Sequence, residues 1–400
     1  MLIALQPLRD RRERIVGYAV AAHPGPHRAR MEAEDSLRLL EYVSPLGRLT
    51  GRSVVVPIEP LVVLHEVLGE QSAVDAVWML PSAALQDPTI LRAVERWMGS
   101  GVNFGLRGMP TVAPLPSVLS EAIVALDVAS APLSTLEMQV RLLRDAGMRP
   151  MAYGVNDRAT RQRVMQAGVQ VVAGRQLVRG ALVAPDATTE ESIVRAVDML
   201  AAYADGRTPD AVFDTIVRDD PHVAASLLRA MASAAIGVRG PRSVEHAVTL
   251  LGRESIIERL IVVTARMLGE VANDAELAFI ALHRARTVAT LARGLSLGVH
   301  PRACMLAGLM TTLEFGLGTP SAILAEQIGL STLLRDTLQQ RATPLGQLLD
   351  AVEAFEYGWW ECCFTRCAEL GLSPQTVSDV WLAGWKSARD EVTVGRSEVA

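Results

Sequence analysis

Apolar and polar positions in roughly the first 185 residues follow two alternating rhythms. Short apolar, β-branched runs recur at LIAL (2–5), IVGYAVA (15–21), SVVV (53–56), AVWML (76–80), VNFGL (102–106), AIVALDV (122–128), PMAYGV (150–155) and VQVVAG (169–174). Runs of this length, bounded by glycine, proline and small polar residues, read as strands. Amphipathic stretches such as TILRAVERWMGSG and TLEMQVRLLRDAGM lie between most of them, each closing near a glycine that can take a left-handed C-terminal cap. Strands alternating with helices predict a parallel α/β fold, and this many of them predict a (β/α)8 barrel. The first two runs are joined only by the turn DRRER. A parallel pair needs a crossover of about a dozen residues or more, so this first pair is expected to be an antiparallel hairpin.

The rhythm changes after VAPDATTEE, a stretch of small polar residues around Pro185 that reads as a linker or helix entry. From there the strand pattern disappears and helical patterns follow one another: PHVAASLLRAMASAAIG, SVEHAVTLLG, ESIIERLIVVTARMLG, ELAFIALHRARTVATLARGLSLG, and onward to WLAGWKSARDEV. Asp220-Pro221 and Ser373-Pro374 have the form of an N-cap followed by a first-turn proline, and Gly237, Gly252 and Gly269 are expected helix stops. The pattern divides the chain into an α/β domain over 1–188 and an all-α domain over 189–400, the latter with a C-terminal helical extension.

Composition supports this division and removes several classes of function. A chain of 400 residues is long for a single core, and 50% hydrophobic residues with only 4% aromatic ones describe well-packed aliphatic interiors. No apolar stretch approaches the roughly 18 residues of a membrane span. The nearest, VVVPIEPLVVL at 54–64, is interrupted by Glu59 and two prolines. The N-terminal MLIALQPLRDRRER lacks the charged lead and cleavage site of a secretory signal, so a cytoplasmic location is expected. A net charge of -5 without a long basic run argues against nucleic acid as a partner. Arg9, Arg11, Arg12 and Arg14 interleave with Asp10 and Glu13 and read as a solvated turn. Cys304, Cys362, Cys363 and Cys367 lack the two separated ligand pairs of a zinc site and read as reduced helix residues. No metal or other cofactor is expected. The chain has no P-loop, no H-E-x-x-H and no G-x-G-x-x-G after a strand, and Asp127 with Glu121 is a weak carboxylate pair.

The order of short segments in the first half resembles an EAL domain, the barrel that hydrolyses cyclic di-GMP. QPLRDRRERIVGYAVAAH resembles its opening hairpin. SVVVPIEPL, AVWMLP, NFGLRGM, AIVALDV, MAYGVND and VVAGRQLVRGA then fall in the order of its later signposts, over roughly residues 3–184. The resemblance implies two divalent cations at the strand ends, held by carboxylates and one amide, because hard cations take oxygen ligands and a metal pair activates the attacking water. At the implied positions this chain has Ala19, Val56 or Pro57, Trp78 and Pro81, Arg107 and Gly108, Ala125, Tyr153 and Asn156, and Ala173. Arg107-Gly108 replaces an Asp-Asp pair, and Ala125 replaces a lysine that would orient the water. These substitutions lead to the expectation that phosphodiesterase activity is lost. Arg107 and Arg175 are candidate contacts for a phosphate if the barrel binds the nucleotide without hydrolysing it.

The second half resembles an HDOD domain, a helical relative of the HD phosphohydrolases that lacks their metal site. The carrying segments begin with SLLRAMASAAIGVRGPRSVEHAVTLLGRESIIERLIVV and continue through FIALHRARTVATLARG to LRDTLQQRATPLGQLLDAVEAFEYGWW, over about residues 190–365. No His-Asp dipeptide occurs, and His222, His246, His283 and His300 read as capping or surface residues; His283, Arg284 and Arg286 together read as a solvated or inter-domain basic face. Val377, Trp381 and Trp385 recur at helical spacing, either closing the core or forming a docking helix whose tryptophans contact a partner. Together the resemblances imply a bacterial EAL–HDOD signalling protein without enzymatic activity. Such a protein is expected to act as a scaffold for signalling partners and to form a homodimer, with cyclic di-GMP reception as the alternative function.

Overall fold

All eight apolar runs become strands. The computed structural model describes residues 1–12, 14–28, 30–65, 75–110, 117–128, 132–155, 158–174, 187–204, 223–228, 244–272, 274–319, 321–328 and 330–393. Two compact units are present: Met1–Gln176 together with Phe355–Glu361, and Leu177–Ala354 together with Cys362–Ala400.

In the first unit β1 (Leu2–Arg9), β2 (Ile15–His23), β3 (Val54–Pro57), β4 (Ala76–Pro81), β5 (Asn103–Arg107), β6 (Ile123–Asp127), β7 (Arg149–Tyr153) and β8 (Val171–Val172) close a barrel in chain order. β1 is antiparallel to both of its neighbours and every other pairing is parallel. The hairpin follows from the length of its turn, which Asp10 organises: its carboxylate accepts the Arg12 and Arg14 amides at 2.8 and 3.0 Å and the Arg14 guanidinium at 2.7 Å. Arg9 departs from the solvated-turn expectation. It is buried, and its backbone pairs with Val172 where β1 meets β8 and closes the barrel.

Helices α1 (Ala33–Thr50), α2 (Pro88–Gly99), α3 (Leu133–Asp145) and α4 (Arg158–Ala167) follow individual strands. α2 shows how locally its boundaries are written: the Asp87 carboxylate accepts the Thr89 amide at 2.7 Å, Pro88 occupies the first turn, and Gly101 turns the chain away at φ 90°. Inside the barrel, alternate residues form one packed layer of Leu8, Val55, Met79, Ala125, Met151 and Ala173, with Ala19, Val77, Ile123, Tyr153 and Val171 against it. Gly105 sits where no side chain fits. A Cβ there would lie within 3 Å of both the Met79 sulfur and the Ile123 carbonyl oxygen, so the missing side chain lets Met79 fill the interior.

The second unit is helical: α5 (Ala187–Ala204), α6 (Val244–Val271), α7 (Ala275–Leu295), α8 (Pro301–Leu317), α9 (Ser321–Gln327), α10 (Thr332–Gln339), α11 (Pro344–Glu356, whose last two residues compact with the barrel unit), α12 (Trp360–Glu369, entered from that same segment) and α13 (Pro374–Thr393). α7 is apolar around most of its circumference and packs against α6, α8 and α13, as a central helix must. Two glycine stops are corrected. α6 runs unbroken through Gly252, merging two expected helices, and Gly269 also lies inside it. A Cβ on Gly269 would approach that of Ala278 to 2.7 Å, so this glycine lets α6 and α7 pack closely instead of ending a helix. Gly237 lies outside the described residues.

The basic segment of α7 is also corrected: His283 and Arg284 are buried. Burial of the Arg284 charge is compensated by Thr311 Oγ1 at 2.8 Å and Glu353 at 3.2 Å, and Glu353 also receives Arg341 at 3.5 Å. Cys304, Cys363 and Cys367 are buried free thiols and Cys362 is an exposed one.

Gly105→Ala is expected to destabilise the barrel by about 1–3 kcal/mol through overpacking against a backbone carbonyl as well as Met79. Urea unfolding followed by amide exchange in β4–β6 measures this, and unchanged protection there would contradict the packing assignment.

Candidate functional site

Parallel strands put all their C-terminal ends on one rim, the usual place for ligands and chemistry in such barrels. β2–β8 build that rim, and β1, running the other way, adds its N-terminal half. Side chains alternate between interior and exterior along each strand. The inward parity that passes through Gln6 and Leu8, Ala19 and Ala21, Val55, Met79, Gly105, Ala125, Met151 and Ala173 therefore continues toward the rim through Pro57, Pro81, Arg107, Asp127 and Tyr153.

Ala19, Ala125, Tyr153 and Ala173 lie on the inward face. Of the two residues at the asparagine position, Pro57 has the inward parity and Val56 the outward one. Trp78 does not belong to the site: it alternates with inward Val77 and Met79 and is fully buried on the outer face of the sheet. Pro81 is the β4 residue at the rim. Asn156 and Arg175 lie outside the described residues.

Arg107 ends β5 beside Pro81 and Ala125. Gly108 follows at φ 84°, a left-handed turn that glycine adopts without strain, and its amide bonds to the Ala125 carbonyl at 2.8 Å. Ser82 braces the turn by donating to the Met109 carbonyl at 2.8 Å. The Arg107 Nε is enclosed and has no acceptor among the described residues. Its charge is felt at Tyr153: burial raises the phenol above its ordinary pKa, the Asp127 carboxylate raises it further, and Arg107 opposes both.

Among the described residues of the strands, the inward rim positions hold Arg107, Tyr153 and the Asp127 carboxylate, where a divalent-cation pair requires several oxygens. Alanine and proline supply no ligand, and a guanidinium repels a cation. Among the described residues no three His, Cys, Asp or Glu side chains are placed to share a metal ion. The described residues at these strand ends do not supply the several oxygens of the cation pair that the EAL resemblance implies.

The opposite side of the rim carries a feature that the sequence reading left without a role. Phe355–Glu361, which belongs to the barrel unit, lies against the β1–β2 hairpin. Gln6 Nε2 donates to the Tyr357 carbonyl at 2.7 Å, and the Trp360 and His23 rings lie 5.5 Å apart. Burial lowers the His23 pKa, Glu361 opposes the shift and Arg28 adds to it. The available signal was a lone glycine among aromatics, EYGWW, between two helical patterns.

In the helical unit His283 forms the centre of an aromatic cluster. It stacks on Phe279 at 5.2 Å, meets the Trp381 and Trp385 rings at 4.9 and 5.7 Å, and its Nε2 hydrogen-bonds with the Trp381 carbonyl at 2.8 Å. Trp381 and Trp385 are 2% and 1% exposed, and Val377 is buried with them. α13 therefore closes the core and does not present these tryptophans as partner contacts, because their apolar rings fill the space beside α7. Arg389 lies over the Phe279 ring at 3.8 Å and pairs with Glu276 at 2.6 Å. Burial, with Arg389, Arg284 and Arg286 nearby, pushes the His283 pKa down to about 4. His246 is exposed and His300 caps α8 by accepting the Arg302 amide, while His222 lies outside the described residues.

Residues 194–314 match the HDOD domain family, so the helical unit contains an HDOD domain running from α5 into α8. A curated relative, cyclic di-GMP phosphodiesterase CdgJ of Vibrio cholerae, is 30% identical over 115 residues, which is 29% of this chain and only 27% of the relative's length. Solved structures similar to this chain include the calcium/cyclic-di-GMP complex of Klebsiella pneumoniae BlrP1, at 14% identity over 43% of this chain and 54% of that one, with a TM-score of 0.36. The Xanthomonas citri FimX EAL domain with c-di-GMP is 18% identical over 43% of this chain and 85% of that one, with a TM-score of 0.32. The Bacillus subtilis YkuI protein, which has an EAL domain, is 12% identical over 55% of this chain and 72% of that one, with a TM-score of 0.36.

The His283 shift has a direct consequence for stability. The unfolded imidazole titrates near 6.5 and the folded one at about 4, so the unfolded chain takes up the proton first. The stability of the helical unit is present above pH 6.5 and falls by about 3 kcal/mol as the pH drops toward 4. In His283→Gln the difference in unfolding free energy between pH 7 and pH 4 should shrink by about that amount; an unchanged difference would contradict a buried neutral histidine.

Proposed function

We propose that the protein is a non-catalytic signal-transduction scaffold in which a degenerate EAL-type barrel is joined to an HDOD domain and acts through contacts with other signalling proteins. The observation that carries this reading is Arg107 on the inward rim, a fixed positive charge where the EAL resemblance implies the acidic core of a two-metal site. Loss of a single ligand weakens a metal site. Replacing its ligands with Ala19, Pro57, Pro81 and Tyr153 as well, and the water-orienting lysine with Ala125, removes the Lewis acid, the activated water and the template together. The HDOD match and the partial overlap with CdgJ support a place in cyclic di-GMP-linked bacterial signalling. No helix among the described residues is long and apolar enough to cross a membrane. Its partners are signalling proteins, and the chain itself forms a homodimer.

A second reading, reception of cyclic di-GMP without hydrolysis, draws on the same arginine. An enclosed guanidinium nitrogen with no acceptor among the described residues suits a phosphate oxygen.

Hydrolysis of cyclic di-GMP with magnesium or manganese is expected to remain at the buffer rate. It should stay there in the double variant Arg107→Asp, Gly108→Asp, because the other rim positions still lack ligands. Turnover in either protein would overturn the reading. Isothermal titration should show no heat at high micromolar cyclic di-GMP; heat that disappears in Arg107→Ala would favour the receptor instead. A pull-down from native cytoplasm should return a signalling protein, and recovery of the bait alone would count against the scaffold.

A further inference from the structure

The β1–β2 hairpin reaches beyond the closed part of the barrel. β2 pairs with β3 only at Tyr18 and Ala19, whereas its pairing with β1 continues to His23 against Leu2. An arm of this kind would leave inward-parity Gln6 and Ala21 facing the mouth, with the Gln6 amide as a hydrogen-bond donor aimed at whatever enters. In this protein a segment of the chain itself occupies that place.

We infer that Phe355–Glu361 is a built-in strap that closes the hairpin side of the barrel mouth, so that a molecule entering there must displace it before it can reach Gln6, Ala19 and Ala21. Three independent features hold the strap. The Tyr357 carbonyl takes the Gln6 Nε2 donor at 2.7 Å, filling the role a ligand oxygen would have. Gly358 turns at φ 69°, with its amide bonded to the Phe355 carbonyl at 3.1 Å, and a Cβ there would come to 3.2 Å from both Ala21 and Gln6. The positive φ favours glycine here, and a side chain would also have to push Ala21 or Gln6 aside by a few tenths of an ångström. Trp360 anchors the far end between His23 at 5.5 Å and the buried Phe355 at 5.8 Å.

The strap adds no residue to the packed inner layer of the barrel. Ala19, partly exposed at the same level, reports whether the mouth is open. The inference concerns access to the mouth and is independent of whether any nucleotide binds or any partner docks.

The test uses the full chain carrying Ala19→Cys, alkylated with a negatively charged thiol reagent and read by peptide mass mapping, which separates the new thiol from the native cysteines. Gly358→Val should raise the labelling rate at position 19 at least tenfold while amide protection in β4–β6 stays at the level of the parent. Gln6→Ala should raise it in the same direction by a smaller factor, and it decides the matter if Gly358→Val does not fold. An unchanged labelling rate in the folded variants would overturn the strap, as would a rise that occurs only together with lost protection in β4–β6.

Discussion

Everything at the barrel mouth depends on the two-residue period of a strand in a closed sheet. Once β1–β8 close around the Leu8, Val55, Met79 and Ala125 layer, the residue two positions nearer the mouth on each strand has the same inward parity. Arg107 is therefore a rim residue because Gly105 is an interior one, and Gly105 is an interior one because Met79 fills the space a side chain would need. The same constraint excludes Trp78 from the site, although the sequence places it in a strand that does contribute there. Chemistry at the mouth is thus determined by packing one layer below it.

The helical unit obeys a different constraint with a similar outcome. α7 packs against α6, α8 and α13, so Glu276, His283 and Arg284 are buried, and buried polar groups need partners. Arg284 finds Thr311 and Glu353, and Glu276 finds Arg389. His283 is kept neutral within an aromatic cage and bonds to a backbone carbonyl. Groups that would read as a metal or phosphate site on a surface are here the means by which polar side chains are accommodated in a core.

Periodicity carried most of the fold. The eight strands, the antiparallel first pair and the change to helices were all legible because they rest on local patterning and on the length of one turn. What was not legible depends on neighbours distant in sequence. Gly252 looks like a stop but lies inside α6, and Gly269 is explained only by Ala278 on the next helix. The burial of His283, Trp381 and Trp385 follows from α13 lying on α7, and Arg284 finds its partners on α8 and α11, which no window of sequence contains. At the candidate site the identities of the rim residues could be read, but parity had to be seen to separate Pro57 from Val56 and to dismiss Trp78. The strap was least accessible, because its contact with Gln6 joins residues 351 positions apart.

The proposed loss of hydrolysis requires that the rim hold no divalent cation pair. Titration of the full chain with manganese, followed by electron paramagnetic resonance, tests this directly because bound and free ions differ in signal. The account predicts that the free-ion signal at equimolar manganese matches that of buffer, with or without cyclic di-GMP. A stoichiometric bound ion whose signal changes when the nucleotide is added would contradict it.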